Sequence, residues 1–166
     1  MKKVIIIITL FQIGLLSAQI AVEKQQVDGD GLLDFPANTT KGILLPIVET
    51  LPSNAVAGTL LMDKNDQIIK MNIESAWVPL SDSGSVAGVV FNTNNEIPGQ
   101  NRIIMGSDTT AASGVLVLES SHKALVLPKI ATPHTNVKSP YPGMICYDTT
   151  SKSMAVFDGL KWSYWK

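Results

Sequence analysis

Chemistry at neutral pH usually starts from a histidine, an activated thiol or a group of carboxylates. This chain has two histidines and one cysteine. His122 follows a Ser-Ser turn, and His134 sits in a long polar loop. Neither has a second His four residues on, or a cysteine pair, to complete a metal site. Cys146 lies inside an apolar run, where a small buried hydrophobe is expected rather than a nucleophile. Asp28-Gly-Asp30-Gly with Asp34 is faintly like a calcium loop. A third loop carboxylate and the closing Glu are out of register, so a flexible acidic turn is expected. Asp63 and Asp148 each end an apolar run, where turn geometry accounts for them better than catalysis. There is no Gly-x-Ser-x-Gly, Walker loop or dinucleotide fingerprint. The expectation is a chain that is not an enzyme, with no catalytic, cofactor-binding or metal residue. A hydrolase assembled from distant loops is the weakest alternative.

The elements around these residues form a pattern that occurs twice. Lys41-Gly-Ile-Leu-Leu-Pro46 recurs as Lys123-Ala-Leu-Val-Leu-Pro128, while Gly58, Asp63 and Trp77 recur as Gly143, Asp148 and Trp162. Repetition speaks to architecture before it speaks to a reaction. Nine prolines and twelve glycines cut the apolar sequence into short runs without a sustained helical period, so strands are expected. In the first unit these are Gly42–Leu45, Thr59–Met62, Gln67–Asn72 and Ala76–Val78, with Ile47–Ala57 as a loop. In the second they are Leu125–Leu127, Met144–Tyr147, Ser153–Phe157 and Trp162–Trp165, with Lys129–Pro142 as the loop. Asp158-Gly159 signals a tight hairpin. The first unit has Ile73-Glu74 at that place, so its last hairpin should be the looser one. Between the units, Ser81–Ser85 reads as linker, and Val86–Phe91, Arg102–Met105 and Val115–Leu118 as short strands.

The fold class is therefore all-β. Two related small antiparallel β-meander units, 19–80 and 114–166, are joined by a short-stranded linker region, 81–113. A signal peptide, 1–18, precedes them. Lys2 and Lys3 form its positive end, Val4–Leu16 its apolar stretch, and Leu16-Ser17-Ala18 a small-residue cleavage site. The apolar stretch is shorter than the ~20 residues of a membrane span, so no membrane insertion is expected after cleavage. Removing Lys2 and Lys3 from 13 basic residues leaves 11 against 14 acidic, a formal charge of −3. The basic residues are scattered, which excludes the basic stripe of a nucleic-acid binder. An exported location is expected, at the cell surface or outside the cell, with the periplasm as a further candidate. A lone cysteine makes no internal disulfide, so stability must come from core burial or assembly.

Without a catalytic constellation, contact is the expected mode of action. Tyr141, Trp162, Tyr164 and Trp165 are the candidate interaction residues. Strand alternation places Trp162 and Tyr164 on one face and Trp165 on the other. The leading reading is a structural or adhesive protein with envelope protein partners, or one that associates with itself. The alternative is a glycan-binding module built on these rings.

The string Val115-Leu-Val-Leu-Glu-Ser-Ser-His-Lys-Ala-Leu-Val-Leu-Pro128, then Pro142-Gly-Met-Ile-Cys-Tyr-Asp-Thr-Thr150 and Val156-Phe-Asp-Gly-Leu-Lys-Trp162, resembles a recurrent module of secreted and cell-surface proteins of Bacteroidetes. It is also similar to Gly-x-x-x-Tyr-Asp-Thr and Tyr-Asp-Gly-x-x-Trp strings of phage tail-fibre proteins. The resemblance covers Val115 to Lys166 well and the first unit less well, where Met62 stands in place of Tyr147. It implies surface or fibre roles rather than catalysis. Asp108-Thr109-Thr110 and Asp148-Thr149-Thr150 also resemble the O-glycosylation acceptor of Bacteroidetes. That resemblance makes Thr109 and Thr149 candidate modification sites, with Thr109 in the more loop-like segment.

Overall fold

Short apolar runs interrupted by proline and glycine fold into short strands. The computed structural model describes residues 19–91 and 102–166. The expected leader, 1–18, and the Asn-rich loop, 92–101, lie outside the described residues. In chain order the strands begin with β1 (Ile20–Ala21), β2 (Gly31–Asp34), β3 (Ile43–Leu44), β4 (Ile47–Val48), β5 (Leu60–Asp63), β6 (Ile68–Ile73) and β7 (Ala76–Pro79). They continue with β8 (Ile103–Met105), β9 (Leu116–Leu118), β10 (Ala124–Leu125), β11 (Lys129–Ile130), β12 (Met144–Asp148), β13 (Ser153–Phe157) and β14 (Trp162–Trp165). One four-residue helix among the described residues, α1 (Pro133–Asn136), falls between β11 and β12. Among the described residues the protein is all-β apart from that turn of helix.

Two sheets dominate and share a strand order. In the first, β4 runs parallel to β5, and β5-β6-β7 is an antiparallel meander. In the second, β11 runs parallel to β12, and β12-β13-β14 is an antiparallel meander. Backbone conformations agree as well. Gly58 and Gly143 have φ of 86° and 85°, and Gln67 and Lys152 have φ of 60° and 55°. Asp63 accepts the Asn65 amide, and Asp148 accepts the Thr150 amide, each at 2.9 Å. These aspartates fold the turn back by bonding their own backbone two residues on.

Local periodicity missed three features. The stretches Ile47–Ala57 and Lys129–Pro142 are not wholly loop, because each opens with a two-residue strand, β4 or β11. Such a strand is defined by its distant partner and leaves no periodic trace of its own. Val86–Phe91 is not a strand. Ser85 Oγ accepts the Ala87 amide, Val86 accepts the Val89 amide, and Gly88 takes φ of 81°, which coils the segment into turns. The β6–β7 hairpin is the tighter of the two, not the looser. Ile73 pairs with Ala76, so only Glu74 and Ser75 form its turn, both at positive φ. Phe157 pairs with Trp162, so Asp158-Gly159 begins a four-residue loop instead. Asp158 Oδ1 holds that loop open by accepting the amides of Leu160 and Lys161.

The two sheets share one core. Met62 and Ile69 from the first sheet, and Leu80 just after β7, pack with Ile145 and Val156 from the second. Leu60, Met71, Val86, Leu127 and Met154 fill in around them. The opposite face of the second sheet carries its own cluster of Ile130, Val137, Met144, Cys146, Ala155 and Phe157, covered in part by Trp162. Strand exchange ties the halves further. β3 pairs with β12 through Leu44↔Met144 and Ile43↔Ile145, and β10 pairs with β2. The linker-like sequence at 81–85 interlocks with both sheets. Gly84 donates to Gln67 and Ser85 to the Asp158 carbonyl, each at 2.8 Å, and Lys161 bridges to Asp82 at 2.6 Å.

Candidate functional site

Asp34, Asp63 and Asp148 are buried and held by hydrogen bonds. Asp34 is fully buried and accepts the Asp28 amide, the Phe35 amide and the Lys24 ammonium at 2.6–2.8 Å. Burial alone would raise its pKa, but these donors outweigh burial and hold the carboxyl below the ordinary range. Asp28, the other half of the calcium-like sequence, faces Lys24 at 2.9 Å and Lys129 at 3.5 Å. The Asp28 and Asp34 carboxylates there already face lysine. No group of three or more His, Cys, Asp or Glu among the described residues could hold a metal. Burial pushes the Cys146 thiol up to about 12, with the Asp148 charge adding to it, so the thiol stays protonated. His122 bonds Ser121 in an exposed turn, and His134 Nδ1 bonds the Tyr164 hydroxyl at 2.9 Å.

The four aromatic candidates do not form one patch. Trp162 packs on Phe157, ring centroids 5.3 Å apart, as cover for the second sheet's own cluster. Tyr164 lies on that same face of β14, further along, beside His134. Trp165 faces the opposite side, where its indole N–H donates to the Leu80 carbonyl. Tyr141 sits on the turn into β12, near the Phe157 end of the sheet, because Gly143 donates to Phe157 there. Trp162 and Trp165 are thus partly spent on packing and hydrogen bonding, which weakens a stacking platform for a sugar. The two Asp-Thr-Thr strings differ as well. Thr109 is exposed, in a turn where its amide and carbonyl bond Ser107. Thr149 is exposed, but its amide bonds Ile130, and its neighbour Asp148 is buried in hydrogen bonds to Thr132, Thr150 and Ser151.

A different surface stands apart from these aromatic residues. β8 and β9 form a two-stranded parallel sheet joined to no other described strand. Its register is Ile103↔Leu116, Ile104↔Val117 and Met105↔Leu118, so every paired position is apolar. Ile103 is 59% exposed, Leu116 42% and the adjoining Val115 61%. The signal was in the sequence as two short runs with no polar alternation, the mark of strands covered on both faces. Residues 104–166 match the model of a family described as a phage tail like trimerisation region. That match begins inside β8 and ends with the chain, so it takes in this ribbon apart from Ile103, and β11–β14 of the second sheet. It supports the resemblance to phage tail proteins, and with it a structural role through protein–protein contact and self-association. No curated protein and no solved structure matched the chain.

Proposed function

We propose that this chain is a non-enzymatic structural protein that assembles as a homotrimer through residues 104–166, in a phage-tail-like or cell-surface structure outside the inner membrane. The family match over that stretch is the observation that carries the reading. The leader-like sequence at 1–18 supports export, and the matched strand order of the two sheets supports their origin as one duplicated unit. Envelope proteins would then meet the assembled trimer rather than the single chain, with adhesion as one use of the trimer's outer surface. The test is the mass of the full chain in solution. Sedimentation equilibrium at micromolar concentration is expected to return three times the mass of one chain, which is 17.8 kDa before any processing. A single-chain mass that does not change with concentration would rule the reading out.

A further inference from the structure

We propose that the β8–β9 ribbon is where the three copies close on one another, β9 of each copy adding edge-on to β8 of the next. This rests on the trimeric reading above and names the surface that performs it. The occupant of the open ribbon is thus a second copy of this chain, and the trimerisation match that begins at residue 104 is what identifies it.

Among the described residues the ribbon is incomplete, on physical grounds. A lone two-stranded sheet is marginal in water, and parallel pairing is the weaker kind. Paired residues in a parallel sheet share a face, so Ile103, Met105, Leu116 and Leu118 line one side and Ile104 and Val117 the other. Apolar side chains on both faces call for cover on both faces. Neither core cluster contains any of the six. One end is covered. A Cβ on Gly106 would lie 3.3 Å from Leu32 Cδ2 and 2.1 Å from the Glu119 carbonyl, so that end of the ribbon sits against β2. The end bearing Ile103, Val115 and Leu116 is open.

The edges point the same way. Ile103 donates to Val115 and Glu119 to Met105 across the ribbon, at 2.8 and 2.9 Å. Successive amides alternate direction along a strand, so those of Ile104, Leu116 and Leu118 face the two outer edges. Unpaired edges recruit further strands. A three-fold axis running along the strands maps each strand onto a copy with the same direction. Edge addition about that axis therefore gives parallel pairing, as within the ribbon. The contact is head-to-tail and closes after three copies, giving six parallel strands with no free edge. The six paired side chains carry no charge that would have to be brought to the axis.

The test compares Leu116→Asp and Ile103→Asp with Val56→Asp, a change at a comparably open apolar residue outside residues 104–166, 45% exposed. All are made in the full chain and followed by sedimentation and circular dichroism. The expected result is a trimer for the native chain and Val56→Asp, with loss of the trimer and a retained β spectrum for both ribbon variants. If a ribbon variant unfolds, amide exchange in the native trimer decides. The Ile104, Leu116 and Leu118 amides should exchange slowly in the trimer and become fast when it is diluted to monomer. A trimeric native chain whose ribbon variants stay trimeric, or whose three edge amides exchange fast in the trimer, overturns the ribbon and leaves the trimeric reading standing. A monomeric native chain overturns both.

Discussion

Replacing Gly159 with alanine is expected to lower the thermal midpoint by about 10 °C, roughly 3–5 kcal/mol at about 2–4 °C per kcal/mol for a chain of this size. Gly159 has φ of 98°, and a Cβ there would lie 1.8 Å from the Ser85 carbonyl oxygen. Gly84 faces it in the same way, since its Cβ would lie 2.0 Å from the Asp158 carbonyl oxygen. Both obstacles are backbone, so no rotamer change relieves them. The segments at 84–85 and 158–159 must separate, which breaks the Ser85–Asp158 bond and loosens Leu80 and Val86 against the shared core. Gly58→Ala separates strain from contact. Gly58 has φ of 86° with nothing within 4 Å of a Cβ, so that variant meets only the left-handed penalty of about 1–2 kcal/mol. Melting curves followed by circular dichroism decide the matter: equal shifts for the two variants would mean that the close approach contributes nothing.

The same pair of glycines shows where the sequence stops being legible. Ser81-Asp-Ser-Gly-Ser85 has linker composition, yet glycine serves there to let two backbones touch rather than to let a chain flex. Composition does not distinguish the two uses, because the other backbone is more than seventy residues away. What local chemistry encodes was readable: the meander strands from short apolar runs, their turns from Asp63 and Asp148, and the break between Trp162 and Trp165 from strand alternation. What distant partners decide was not. β3 joins the second sheet and β10 joins β2, although each Leu-Pro strand reads as part of its own half. Glu74-Ser75 closes a two-residue turn at positive φ without the Asn or Gly that would announce it. Among candidate contact residues, aromatic type drew attention to Trp162, whose ring the core claims. The uncharged β8–β9 runs drew none, because two short apolar strands look like ordinary core until their exposure is known.

Acid should destabilise this protein through three buried aspartates, and Asp148 allows the effect to be isolated. Asp34, Asp63 and Asp148 are each at most 5% exposed, and in each case hydrogen bonds outweigh burial and hold the carboxyl below its ordinary value of 3.8. A carboxyl whose pKa is lower folded than unfolded contributes stability above its unfolded pKa. That contribution is lost as pH falls through the folded value. The urea midpoint is therefore expected to stay level from pH 7 to about 5 and to fall steadily below about 4. Asp34 and Asp63 share their charge with Lys24 and Lys70, at 2.6 and 2.7 Å. Asp148 instead takes the Thr132 and Thr150 amides at 2.9 Å and the Ser151 hydroxyl at 2.7 Å. Its stabilisation comes from neutral donors, so it should persist in high salt, where partly exposed ion pairs weaken. Asp148→Ala leaves those donors without an acceptor and is expected to cost about 3 kcal/mol at pH 7. The same change removes Asp148's share of the acid slope, so native and variant midpoints should converge as pH falls toward 2. Parallel curves, with the gap unchanged from pH 7 to 2, would mean that Asp148 acts through packing and not through its charge.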